Sequence, residues 1–167
     1  MIPENCKDLE AHQKLMVYEG IGYMVSTEQI RQHDFVLSLL SYSHKDWEAT
    51  LQRATQDPSV LMSPDCIRSI DHIIKINQRV AQSTGRSYIA YLSQIFSPLI
   101  QVYKHYSSWI SQAQQSGGAS EHLVRPMKTV RRDILKLIQT YIEKETDFDY
   151  FNQNFLPTLQ AMVEDYQ

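Results

Sequence analysis

The side chains able to do chemistry are scattered along this sequence rather than gathered. Six histidines, His12, His33, His44, His72, His105 and His122, include no pair at i, i+4. That spacing puts two imidazoles on one helix face to hold zinc, and no H-E-x-x-H occurs either. His12, His33 and His44 read as solvated polar positions, and His72 and His105 as boundary residues beside apolar stripes. Cys6 and Cys66 are far apart and sit in no C-x-x-C or C-x-x-H spacing, so free thiols in a reducing compartment are expected. Gly20-Ile21-Gly22 is a G-x-G inside a helical pattern, with no strand before it and no third glycine, which makes it no dinucleotide fingerprint. Asp147 and Asp149 fall at a helix start, where the positive end of the helix dipole favours carboxylates, so capping explains them better than acid–base work. Neither a P-loop nor a nucleophile elbow is present. Catalysis therefore has no carrier, and no cofactor or metal is expected.

One charge cluster stands out: Arg125, Lys128, Arg131 and Arg132. Positions 125, 128 and 132 share a helix face at i, i+3 and i+7, with Arg131 beside them. The simpler reading is a solvated face opposite a Met127, Val130, Ile134 stripe. The functional reading is a basic strip that meets an acidic surface on a protein partner. The aromatic stretch from Tyr88 to Trp109 reads mostly as core, with Tyr106 and Trp109 as candidates for a partner contact.

The elements that must position these residues are helical nearly throughout. Asp8 is the expected cap of a first helix carrying Leu15, Tyr18, Ile21 and Val25, with Gly20 and Gly22 inside it. Each glycine costs roughly 1 kcal/mol there, so a close helix contact is their expected reason. A second helix is expected from Ile30 through Leu40. Ser43 and Asp46 read as a capping box that opens a further run through Trp47 and Leu51, which Asp57-Pro58 ends. Ser63-Pro64 places an N-cap before a first-turn proline, and Ile67, Ile70, Ile74, Asn77 and Val80 follow up to a stop at Gly85. Tyr88 to Ile110 forms a long helix that Pro98 should kink. Ser116-Gly117-Gly118 reads as a loop. Leu123 to Tyr141 is amphipathic, a turn is expected at Glu145-Thr146-Asp147, and a last helix from Phe148 is bent or restarted by Pro157.

Helix starts near Asp8, Ser63 and Ser120 recur at about 55 residues, longer than the ~40–47 of ordinary HEAT repeats. The expected fold is all-α: a right-handed α-solenoid of about three HEAT-type hairpins at residues 8–57, 63–115 and 120–167, truncated at both ends. A closed helical bundle is the competing fold. The net charge of −3 and pI near 6.0 give no footprint for nucleic acid. No stretch reaches the ~18–20 apolar residues of a membrane span, and the N-terminus lacks a signal peptide's basic start and apolar run.

Several segments resemble the exportin-1 family of karyopherin-β transport receptors. Tyr18-Glu19-Gly20-Ile21-Gly22-Tyr23-Met24 is similar to the family's Y-E-A-V-G-Y-M, and the run from Trp47 to Thr55 to its W-D-S-I-I-Q-Q-A-T. Val102-Tyr103-Lys104 resembles V-Y-K, and the run from Arg125 to Ile138 resembles R-S-M-R-T-V-K-R-E-T-L-K-L-I. Asn154-Phe155-Leu156-Pro157 and Asp165-Tyr166-Gln167 close the series in the family's order. Gly20-Ile21 and Pro126 depart from the pattern.

The resemblance implies a ring-like stack of HEAT repeats that shuttles between nucleus and cytoplasm. It implies leucine-rich export-signal cargo and the GTP form of the GTPase Ran as partners, with nucleoporins as a further class. It places this chain in the C-terminal half as scaffold and inner surface, with the export-signal groove upstream. Neither Cys6 nor Cys66 matches the family's reactive cysteine. A scaffold segment of another helical-repeat transport or adaptor protein is the alternative.

Overall fold

A computed structural model describes residues 8–28, 30–116, 121–145 and 148–164, and all regular structure among them is helical. Helix α1 spans Ala11–Ser26, α2 Gln32–Gln56, α3 Pro64–Thr84, α4 Ile89–Ser116, α5 Glu121–Lys144, α6 Phe148–Asn154 and α7 Leu156–Glu164. Short 3-10 turns at Pro58–Met62 and Gly85–Tyr88 lead into α3 and α4. Cys6, Gly117, Gly118, Thr146 and Asp147 lie outside the described residues.

Helix α3 is packed between α1 and α5, while α2 and α4 pack beside one another on the neighbouring layer. Its sequence dictates that central place. Ile67, Ile70, Ile73, Ile74, Ile76, Asn77, Val80 and Ala81 are all buried, leaving only a narrow polar edge. The core continues through Tyr88, Leu92, Ile95 and Leu99 of α4 and Val130, Ile134, Leu137 and Tyr141 of α5. Phe155, between α6 and α7, meets Phe96 of α4 edge-on at 4.4 Å between ring centroids, joining the last helices to the second layer. An all-α helical-repeat packing is thus what the apolar periodicity anticipates.

Several local readings hold. Ser63 is the N-cap of α3 with Pro64 in its first turn, although the Ser63 side chain makes no capping hydrogen bond. Gly85 ends α3 at φ 61°, a left-handed backbone that a side chain would strain. Pro157 restarts the final helix: α6 stops at Asn154 and α7 begins at Leu156, where a missing N–H is harmless. Of the two helical glycines, Gly22 is there for contact, since a Cβ would lie 1.9 Å from Ser83 Oγ of α3, whereas Gly20 faces open space.

Other local readings are corrected. Glu10, not Asp8, caps α1, in a reciprocal capping box with Gln13 whose side chain accepts from the Glu10 amide at 2.8 Å. Ser43 and Asp46 open no helix, because α2 runs unbroken from Gln32 to Gln56. Val36, Leu40, Ser43, Trp47 and Thr50 form one continuous buried face across that point, and packing of that face outweighs the local cap. The Ser43 hydroxyl instead donates back to the Leu40 carbonyl at 3.1 Å. Ile30 is 91% exposed and stands before the helix rather than on its inner face.

Candidate partner-binding surface

The basic cluster lies on α5, whose amphipathic pattern sets Met127, Val130, Ile134 and Leu137 inward. Arg125, Lys128 and Arg132 are exposed, as their i, i+3, i+7 spacing requires. Arg131 departs from them. Its guanidinium lies 4.9 Å from the Tyr103 ring centroid and donates to the Tyr103 hydroxyl at 3.2 Å, tying α5 to α4. A stacked cation of this kind contributes about 0.5–2 kcal/mol. Arg131 is therefore a fastening of the scaffold, and Arg125, Lys128 and Arg132 are the members of the strip that stay exposed.

Arg132 is also linked to the fold, though loosely. Its Nε sits 3.3 Å from Oδ1 of the buried Asp133, whose other oxygen is 4.0 Å from Lys75 Nζ of α3. Lys75 in turn pairs with Asp71 at 2.6 Å, and Gln78 donates to the Asp133 carbonyl at 2.7 Å. This network fixes the rotation of α5 on α3, and hence the direction in which the strip faces. On the other side of α3, Arg79 pairs with Glu19 of α1 at 2.9 Å.

The remaining candidates resolve into structure. Tyr106 is fully buried and donates to the Leu61 carbonyl at 3.0 Å, so it is core and no partner contact. Trp109 is partly buried against that core. Asn77 is satisfied at both ends, donating to the Ile73 carbonyl and accepting from the Tyr88 hydroxyl, each at 2.8 Å. Burial pushes the Tyr88 hydroxyl well above the ordinary tyrosine range, and the Tyr91 and Tyr106 hydroxyls likewise.

His44 is no solvated position: it is half-buried, with Nδ1 3.1 Å from the Tyr91 hydroxyl, and joins α2 to α4. His72 is held below the usual imidazole range by burial, with Lys14 adding to it. His105 is exposed beside Trp109 rather than at a core boundary. Cys66 is a buried free thiol pushed up by burial. Asp149 lies in the first turn of α6, as the capping argument expects. Among the described residues, no three His, Cys, Asp or Glu side chains are grouped to hold a metal. No helix there is long and apolar enough to cross a membrane.

One feature escapes the sequence reading. A cleft of about 450 Å³ opens between the starts of α2, α4 and α6, lined by His33, Arg86, Ile89, Ala90, Ser93, Glu145 and Tyr150. These positions come from three stretches of chain; Arg86, Ile89, Ala90 and Ser93 share a helical i, i+3, i+4, i+7 spacing, but nothing in the sequence links them to His33 or to Glu145 and Tyr150.

Comparison with known proteins places this surface in context. The family described as "CRM1 C terminal" matches residues 91–167. The chain is 31% identical over 161 residues to Protein EXPORTIN 1B of Arabidopsis thaliana, which covers 93% of this chain and 15% of that protein. It is 32% identical over 162 residues to Exportin-1 of Dictyostelium discoideum, covering 95% of this chain and 15% of that protein. Exportin-1 of Drosophila melanogaster is 27% identical over 166 residues, covering 96% of this chain and 16% of its own length. The chain thus spans about 15% of the length of the curated relatives it matches.

Proposed function

Because the chain belongs to the exportin-1 family, with residues 91–167 corresponding to its C-terminal domain, we propose that it forms one stretch of a nuclear export receptor. In this reading it is a non-enzymatic scaffold of three hairpins, at residues 8–57, 63–115 and 120–167, within a longer solenoid. The observation that carries the reading is the outer face of α1. Tyr18 and Gly22 turn inward, whereas Met16, Tyr23 and Met24 lie on the opposite side and are 68%, 52% and 73% exposed. A helix apolar on both faces belongs inside a stack rather than at its edge, and a further hairpin of the receptor would cover that second face.

The whole receptor would carry cargo with leucine-rich export signals together with the GTP form of Ran, touch nucleoporins, and shuttle between nucleus and cytoplasm. The export-signal groove would lie outside this chain. Arg125, Lys128 and Arg132 would offer a basic strip to an acidic partner surface, held in direction by the Arg131–Tyr103 fastening. Ran and cargo would each favour one curvature of the stack, and that shared preference would couple their binding.

Calorimetric titration with a leucine-rich export peptide tests the reading, on this chain alone and on the full-length receptor with Ran·GTP. The full receptor is expected to bind and this chain alone is not. Saturable binding by the chain alone would put the cargo site within these residues and overturn the placement of the groove. No binding by the full receptor would remove the export function.

A further inference from the structure

Along α5 the outward charge has one sign. From His122 to Thr140 the only carboxylate is Asp133, which is buried and turned toward Lys75 of α3. Arg125, Lys128, Arg132 and Lys136 are all exposed over the same stretch. Arg125, Lys128 and Lys136 make no ion pair among the described residues, and Arg132 reaches only Asp133. The next acid on the helix, Glu143, accepts from the Gln139 amide at 2.8 Å. The neighbouring helix is different: on α3, Arg68 is paired with Asp65, Lys75 with Asp71 and Arg79 with Glu19. The unanswered positive charge is therefore confined to a row one helix wide.

The row also keeps clear of the faces that packing claims. Met127, Val130, Ile134, Leu137 and Tyr141 point into the core, and Asp133 marks the flank against α3. At about 100° per residue, Val124, Leu135 and Ile142 lie on the flank away from α3. Val124 and Ile142 are partly buried and Leu135 is 45% exposed. This apolar flank is where a stack continuing past α5 would set its next helix. Arg125, Arg132 and Lys136 fall within about 40° of one another on the back of the helix, opposite the core. Lys128 stands on the shoulder between row and flank. A further hairpin would therefore leave the row open.

We infer that this row docks an acidic helix of a partner protein, laid along α5. The inference rests on the reading of the α5 strip as a partner surface and adds the form of the partner. From Arg125 to Lys136 the row rises about 16 Å. A second helix alongside has the same rise per residue, so carboxylates at i, i+3, i+7 and i+11 on one of its faces meet the cations turn by turn. A membrane surface or a nucleic acid calls for a broad basic face. This row is bordered instead by the neutralised cations of α3 and by an apolar flank, in a chain of net charge −3.

The test titrates the ¹⁵N-labelled 167-residue chain at low salt with two alanine-based helical peptides, read by amide chemical shifts. The peptides share one composition and are matched for helicity by circular dichroism. One carries glutamates at i, i+3, i+7 and i+11, and the other spreads the same glutamates around the helix. Saturable shifts confined to residues around 125–136 of α5 are expected with the first peptide, and binding about three- to tenfold weaker with the second. Arg125→Gln and Lys136→Gln should each weaken the first peptide about two- to fivefold, the scale of one exposed ion pair. Lys45→Gln, on the exposed side of α2, should leave it unchanged. Unchanged thermal unfolding of the variants shows an intact fold, and the comparison of the two peptides needs no variant. Equal affinity for the two peptides, shifts away from α5, undiminished binding in Arg125→Gln and Lys136→Gln, or no saturation by about 10 mM overturns the proposal. Neither Ran nor export-signal cargo takes part, so that failure leaves the export reading standing, and failure of the export titration leaves this result readable.

Discussion

Gly20 and Gly22 stand two residues apart on α1, yet alanine at each should act with opposite sign. Replacing a glycine inside a helix gains about 1 kcal/mol of backbone preference. At Gly20 nothing lies within 4 Å of the added methyl, so that gain is unopposed. At Gly22 the methyl would fall 1.9 Å from Ser83 Oγ and 2.9 Å from Ser83 Cβ. Rotating the hydroxyl cannot relieve the Cβ contact, so α1 must move away from α3, and overpacking of this kind costs about 1–3 kcal/mol. For a chain of this size each kcal/mol is worth about 2–4 °C. Gly20→Ala should therefore raise the melting temperature by roughly 2–4 °C. Gly22→Ala should melt about 2–12 °C below Gly20→Ala. Thermal unfolding by circular dichroism reads both, and Ser83→Gly added to Gly22→Ala should recover much of the difference. If the two single variants were equally stabilised, the α1–α3 contact would not be as close as described.

Other perturbations follow from the polar contacts. Asn77→Ala strands the buried Tyr88 hydroxyl and should destabilise by about 1–3 kcal/mol in urea unfolding, with Tyr88→Phe added back recovering part of the loss. Arg131→Met should cost about 0.5–2 kcal/mol by the same assay, through the lost contact with Tyr103, while Arg125→Met should leave stability nearly unchanged. Because burial lowers the His72 pKa below 6.5, the unfolded chain takes up this proton before the folded one. Its contribution is absent above about pH 6.5 and turns destabilising as pH falls toward the folded value. His72→Gln should therefore flatten stability against pH just below 6.5. Cys66 is buried with a raised pKa, so iodoacetamide should label it slowly at pH 8 and rapidly once urea unfolds the chain.

How much of this was legible beforehand depends on the range of the forces involved. Helix α3 could be read almost whole, because its start, apolar face and stop are local features: Ser63-Pro64, the isoleucine spacing and Gly85. The restart at Pro157 and the outward face of Arg125, Lys128 and Arg132 were legible for the same reason, since a missing amide and a 3.6-residue period act within one element. The Ser43–Asp46 cap failed because a local signal was outweighed by a buried face continuing from Val36 to Thr50, and only the neighbouring helices make that face buried. Gly20 and Gly22 look alike in sequence, and only the approach of Ser83 separates them. Arg131 belongs to a basic strip by its spacing and to the scaffold by its position over Tyr103. The cleft was invisible, since nothing in the sequence links His33 to Arg86 and Ala90, or these to Glu145 and Tyr150. The sequence by itself determined most of the helices and the faces they bury. Tertiary packing decided which polar residues meet, because contacts between separate helices depend on their relative placement, and no periodicity within one helix encodes that.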